Sequence, residues 1–241
     1  MKEKNPELAI LDVGCGSGSI STTLAQLVPR GHVVAIDLDP TVLLRAQEVA
    51  DELNVRNVVF NQGDALKLPF ADNSFDISHC HQMLLYLQAP WDALREMLRV
   101  TKPGGLVAAR EGDMDTECVW PETPELLMFH NLAANLIAAG GGDVRGGRQL
   151  LSWALKSGAD RSRIVTSYST WSYSTAEEKR FWAQGMADLI RQGRFRDAAL
   201  TARLTTEDEL ERMAIAWQAW KTQEDATLAM VSSEVIIQKS L

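Results

Sequence analysis

"ELAILDVGCGSGSIS", Glu7 to Ser21, runs an apolar segment straight into three glycines, Gly14, Gly16 and Gly18. The apolar run that ends at Gly14 reads as a strand buried in a sheet. The glycines let the backbone turn sharply and let a ligand approach with no Cβ in the way. The helix that follows offers free N–H groups at its N-terminus. In a doubly wound sheet, ligands gather at the carboxyl ends of the central strands, which is where this loop stands. Alone, such a loop fits any nucleotide-like ligand.

Spacing narrows the choice. Dinucleotide sites use GxGxxG, whereas here the pattern is GxGxG and Ser19 takes the place of the third glycine. Asp12 stands two residues before Gly14. A carboxylate there would repel a pyrophosphate and favour an ammonium or sulfonium. The plainer reading of Asp12 is a carboxylate that fixes the loop by accepting backbone N–H bonds. Asp37 ends the second apolar run, about twenty residues on, where an acid can take both ribose hydroxyls. "GDA", Gly63 to Ala65, follows the third, and Asp64 there could receive an adenine amino group or serve as a turn residue. Asp76, at the entry to the fourth run, reads as a strand-entry residue.

The first half alternates strand and helix. "GSISTTLAQLV" is a helix stopped by "PRG". "HVVAIDLD" is a strand, and "DPTVLLRAQEVADELN" a helix with Asp39 as N-cap, Pro40 at its first position and Asn54 at its end. "VVFNQGD" and "SFDISHCH" are strands. "APWDALREMLRVTKPGG" is a helix closed by its Pro-Gly-Gly turn, and "GLVAAREGD" is the fifth strand. Such alternation gives a parallel sheet covered on both faces. The second half is mostly helical: "PELLMFHNLAANLIAAGGGD", "GRQLLSWALKSGA", and Thr175 to about Thr227. "RIVTSYSTWSYS" alternates like a strand and "MVSSEVIIQKS" reads as the last one. The fold expected is α/β: a doubly wound, seven-stranded, mostly parallel sheet with helical insertions forming a cap. It is one domain over residues 1–241. Residues 1–113 form the cofactor-binding core, 114–148 an insertion, 149–174 a helix and strand, 175–228 the helical cap and 229–241 the last strand.

Composition excludes several classes. The 241 residues are enough for one good-sized core, and 46% hydrophobic with 23% charged is ordinary for a soluble globular protein. A net charge of −8 opposes a nucleic-acid partner, and the basic stretch "RQGRFRD" at Arg191 is short. No apolar run approaches the ~18 residues of a membrane span. "MKEKNPE" has no signal-peptide core, so a cytoplasmic location is expected. Cys15, Cys80 and Cys118 are odd in number and far apart, against a disulfide framework. "HCH", His79 to His81, has no further ligand group nearby in sequence, so no metal is expected.

The chain resembles the class I S-adenosylmethionine-dependent methyltransferases, and within them the ubiquinone/menaquinone-biosynthesis (UbiE-like) small-molecule group, which extends into secondary metabolism. The resemblance is carried by "LDVGCGSGSIS", "VVAIDLDP", "NQGDALKLPFADNSFD", "HCHQMLLYLQAPWDALREMLRVTKPGG" and "AAREGD". It is strong from Leu8 to Asp113 and weaker from Trp120 to Trp182. It implies S-adenosylmethionine as cofactor and a small organic molecule as acceptor. Asp12, Gly14, Cys15, Gly16 and Gly18 would cradle the methionine part. Asp37 would bind the ribose, Leu38 would pack on adenine, and Gly63, Asp64 and Ala65 would meet its edge. His79 to Gln82 would lie beside the sulfonium, and the last strand would run antiparallel beside the fifth.

Methyl transfer mainly requires alignment of acceptor, methyl and sulfur. A base is needed only when the acceptor must lose a proton. His81 is the first candidate, then His79, then Glu111 and Asp113; His81 could instead shape the pocket, and His130 reads as structural. Trp182, Trp217 and Trp220 could line a lid, although Trp217 and Trp220, three apart on a helix, also have the spacing of core residues. Rival readings are a protein that binds S-adenosylmethionine without turnover, and a methyltransferase-fold enzyme with another reaction such as a pericyclic step. RNA or protein methylation is opposed by the charge and by "HCHQ" where an Asn/Asp-Pro-Pro-Tyr motif would stand. Relatives carry a helical segment ahead of the first strand, whereas about seven residues precede it here. Two expectations follow: a shortened, weakly active form, or C-terminal helices that supply the cover, with or without a second subunit in a homodimer; either way the cofactor site is expected to be more open and weaker.

Overall fold

A computed structural model describes residues 7–241; the residues read above for a signal peptide or a leading helix lie, as far as position 6, outside the described part. The chain divides into two compact units. The first runs to Glu111 and takes in Gly146–Ser167 and Ser233–Leu241; the second comprises Gly112–Arg145 and Tyr168–Ser232.

In the first unit, strand β1 (Ala9–Val13) is buried at every position. Helix α1 (Ser19–Leu27) leads to β2 (His32–Asp37), and α2 (Pro40–Glu52) to β3 (Val58–Gln62). The start of α2 is set as its sequence implies: the Asp39 side chain accepts from the Thr41 N–H at 3.0 Å, with Pro40 in the first turn. Asn54, just past its end, takes a left-handed φ of 54°. Strand β4 (Phe75–His81), helix α3 (Pro90–Val100) and β5 (Thr101–Gly112) follow. Strands β3, β2, β1, β4 and β5 lie side by side in that order, all parallel. Helix α5 (Gly146–Lys156) brings Leu150, Trp153 and Ala154 into the core that also holds Leu11, Val13, Leu94 and Met97. Strand β8 (Thr227–Gln238) lies beside β5. Gly104 N–H donates to Lys239 O and Lys239 N–H to Gly105 O, while Arg110 pairs with Glu234, so the two strands run in opposite directions as expected.

Two expectations are corrected. The Pro-Gly-Gly segment does not close α3. The helix stops at Val100, and Thr101 to Gly105 already belong to β5, whose register against β4 shifts between Phe75 and Ile77. A Cβ at Gly105 would come within 2.7 Å of the Asp76 carbonyl, so glycine serves a close strand contact there. The described sheet also has eight strands rather than seven. The additional one is β6 (Cys118–Trp120), three residues paired antiparallel with Thr227–Ala229. It is too short to show an alternating pattern.

The second unit has its own core. Helices α4 (Pro124–Ala139), α6 (Ala176–Arg191), α7 (Arg194–Thr201) and α8 (Glu207–Trp220) pack around it, and β7 (Ile164–Tyr173), which pairs with β8, enters this unit at Tyr168. Thr175 with Glu178 and Thr206 with Glu209 form capping boxes that start α6 and α8. Trp217 and Trp220 are both core residues, edge to face at 5.5 Å, and Phe129 stands 5.7 Å from Trp217. Trp182 is half-buried and stacks on Tyr173 at 4.7 Å. His130 lies 3.5 Å from Glu117, whose carboxylate raises its pKa above the usual imidazole value. Among the described residues, no helix is long and apolar enough to cross a membrane. Trp217→Ala should remove about 3–5 kcal/mol of stability, the usual loss for a fully buried large aromatic; urea unfolding followed by far-UV circular dichroism measures it.

Candidate active site

The loop after β1 is held from beneath. Gly14 and Cys15 N–H both donate to Ile36 O, at 2.8 and 3.0 Å, and Gly16 N–H donates to Asp37 Oδ2 at 2.9 Å. Gly14 has φ 75°, and a Cβ there would come within 2.4 Å of Met83 Cγ. Gly16, at φ 51°, would meet nothing within 4 Å. One glycine therefore lets the loop sit tightly on Met83, and the next leaves bare backbone facing open space. Gly18 packs on Ala46 and opens α1. The Cys15 thiol is pushed up to about 12 by burial and by Asp12 and Asp37, which makes it an inert packing group.

The second group lies at the ends of β2 and β3, where Asp37 stands opposite Gln62 in parallel register. Asp37 Oδ1 accepts from Asp39 N–H at 3.0 Å while Oδ2 holds Gly16. Leu38 beside it is 67% exposed. Gly63 N–H donates to Asp37 O, and Asp64 Oδ1 accepts from Leu66 N–H at 2.8 Å, closing a turn. Ala65 packs against the core. Residues far apart in sequence are thus set at the carboxyl ends of two adjacent strands, with an exposed apolar side chain next in sequence to Asp37.

The third group joins β1 to β4, where Asp12 and His79 are register partners. Asp12 is 2% exposed and both its oxygens are used: Oδ2 accepts from Ser21 Oγ at 2.5 Å, and Oδ1 lies 2.8 Å from His79 Nδ1. Asp12 does fix the loop, but through a hydroxyl and a ring rather than through backbone N–H groups. A carboxylate accepts, so Nδ1 carries the proton and Nε2 is left as an acceptor. His81 stands opposite Arg110 on β5; burial and the Arg110 charge push its pKa down to about 4, so it is neutral at pH 7. Cys80, between the two histidines, is buried in the core.

Glu111 does not face open space. It is fully buried, and Oε1 accepts from Met83 N–H at 3.0 Å and Leu84 N–H at 2.9 Å. Burial raises its pKa to about 7 against the pull of those N–H groups. Asp113 belongs to the second unit, where its N–H donates to Val231 O. Ser21 and Met83 were not among the residues singled out in the sequence. A serine in the first turn of a helix and a methionine after a strand carry no pattern of their own, and only the neighbours that the fold brings them reveal their roles.

Comparison with known proteins decides the family. The profile described as "Methyltransferase domain" matches residues 4–141, more than half of the chain. The chain belongs to the methyltransferase domain family. An uncharacterized methyltransferase of Schizosaccharomyces pombe is 35% identical over 239 residues, covering 95% of this methyltransferase and 84% of its relative. A demethylmenaquinone methyltransferase of Desulfitobacterium hafniense is 37% identical over 109 residues, 44% of this chain and 43% of that one. A Haemonchus contortus phosphoethanolamine N-methyltransferase, solved with phosphomonomethylethanolamine and S-adenosylhomocysteine, shares the fold. Its TM-score is 0.60 at 15% identity, over 100% of this chain and 50% of that chain. The methyltransferase family expected from the sequence is thereby shown. The bare backbone at Gly16, the Asp37 carboxylate and the exposed Leu38 suit a ligand with a polar chain, a ribose and a purine.

Glu111 also gives the methyltransferase a pH signature. Its folded pKa of about 7 lies above the ordinary 4.5, so the folded state holds a proton that the unfolded state releases. Stability of the wild type relative to Glu111→Gln should fall as pH rises from about 4.5 to about 7, by on the order of 3 kcal/mol, and stay level above that. Urea unfolding at a series of pH values checks the slope and its sign.

Proposed function

We propose that this methyltransferase acts on a small organic molecule in the cytoplasm, and that His79 is the base when the acceptor must lose a proton. The observation that carries the reading is the bond from His79 Nδ1 to buried Asp12. It aligns the ring and fixes the tautomer, leaving Nε2 free to accept a proton. His81 has the same ring, but a pKa near 4 makes it a poor base at neutral pH, and it is read as a neutral wall of the pocket. The net charge of −8 and the absence of a long basic stretch support a small acceptor over a nucleic acid.

When bound, S-adenosylmethionine supplies a methyl group carrying an excellent leaving group. Gly14 to Gly18 would cradle its methionine part, Asp37 its ribose, and Leu38 with Gly63, Asp64 and Ala65 its adenine. The chain's own work is then orientation, exclusion of water and acceptance of one proton. His79 takes the proton the acceptor loses, and Asp12 holds the ring that takes it.

Asp37→Ala should raise the Kd for S-adenosylhomocysteine about tenfold or more, read by calorimetry. His79→Gln should lower kcat by about a hundredfold on an acceptor that loses a proton, with cofactor Kd within about threefold, and His81→Gln should cost far less. Product is scored by mass spectrometry across phenols, carboxylic acids and amines. Cofactor binding without any methylated product would sink the transfer reading, and full activity in His79→Gln would sink the assignment of the base.

A further inference from the structure

We propose that Glu111 is a positioning residue for the cofactor site: it holds the Met83–Leu84 backbone and, through Met83, sets the seat of the Gly14 turn. The inference rests on the placement of S-adenosylmethionine at the glycine loop.

The turn after β4 needs an outside anchor. Gln82 is held at φ 49°, a left-handed value for a non-glycine residue, and its N–H makes the last ladder bond, to Arg110 O. A single 3₁₀ turn then begins at Leu84 and ends at Tyr86, with no capping side chain from Met83, the residue before it. Its first N–H groups would be orphaned in a buried place, since Leu84 is fully buried. Glu111, at the end of the neighbouring strand β5, supplies the missing acceptor to both Met83 and Leu84 through one oxygen.

The other oxygen, Oε2, is buried with no partner. A buried carboxyl with half its capacity unused is costly, and such a group is tolerated where its geometry is required. The side chain has little freedom to leave. Glu111 is fully buried, and Gly146 packs closely beside it, where an added Cβ would come within 2.9 Å of Leu85 Cβ. From the held turn, Met83 reaches the position that a Cβ on Gly14 would occupy. The chain of contact therefore runs from Glu111 to the Met83 backbone, to the Met83 side chain, to Gly14. Gly14 and Gly16 are in turn fixed by Ile36 O and Asp37. Glu111 touches none of the ligand-facing groups itself, which separates this role from that of a base.

The test is calorimetric titration of S-adenosylhomocysteine into the full chain, with folding of each variant checked by circular dichroism. Glu111→Ala should weaken binding about tenfold, and Glu111→Gln, whose amide oxygen can take the same two N–H bonds, should recover most of it. Met83→Ala should weaken binding by itself and add little on top of Glu111→Ala, because both act through one contact. Wild-type affinity in Glu111→Ala overturns the inference, as does a Glu111→Gln variant as weak as Glu111→Ala. If Glu111→Ala does not fold, Met83→Ala decides: wild-type affinity there overturns the inference. Asp37→Ala separates this from the placement of the cofactor. An unchanged Kd in Asp37→Ala overturns the placement and the inference with it, whereas weak binding there beside intact binding in Glu111→Ala overturns the inference alone.

Discussion

Asp12 is a buried carboxylate with a bond on each oxygen, and much of the site's geometry follows from satisfying it. Leaving such a charge unpaired in the core would cost several kcal/mol, so Ser21 and His79 must be where they are. Ser21 lies in the first turn of α1 and His79 in β4, beside β1. One side chain thus ties the strand that enters the loop, the helix that leaves it and the neighbouring strand. The glycine turn between β1 and α1 has both its ends held, which makes it a rigid feature rather than a mobile tip.

The same device recurs at the ends of the neighbouring strands. Asp37, closing β2, gives one oxygen to Gly16 and the other to Asp39. Glu111, near the end of β5, gives one oxygen to Met83 and Leu84. In a parallel sheet the carboxyl ends of the strands open into irregular loops whose N–H groups have no ladder partner. Acidic side chains at those ends serve as acceptors and organise the loops before any ligand arrives. The environments then separate their chemistry: Asp37 is half-buried beside the bare backbone of Gly16, whereas Glu111 is sealed in the core and holds its proton to about pH 7.

Much of the first unit was legible in the sequence because it is written in local signals. Asp39 and Pro40 start α2, alternating strand and helix implied the parallel sheet, and the GxGxG loop marked the first strand-to-helix turn. The errors arose where a local signal served a non-local contact. Pro103, Gly104 and Gly105 have turn chemistry, but they lie within β5 because β4 needs backbone close enough to exclude a side chain. Strand β6 exists only because the start of β8 pairs with it. Trp217 and Trp220 have the spacing of a buried helical face, and that is how they pack. Among the candidate bases, two histidines two residues apart look equivalent in sequence, and their neighbours make them unlike: Asp12 beside one, Arg110 beside the other.

By itself the sequence determined the class of fold and the methyltransferase family, and it marked the strand ends proposed to hold the cofactor. Those depend on spacing along the chain: a buried run into glycines, acids at the ends of the second, third and fifth strands, helices of crossover length. Only the tertiary structure decided what each acid and histidine does. Charge state, tautomer and bonding depend on burial and on partners tens of residues away, such as Asp12 with His79 and Glu111 with Met83. Spacing places a residue on a strand, but the neighbouring strand sets its chemistry.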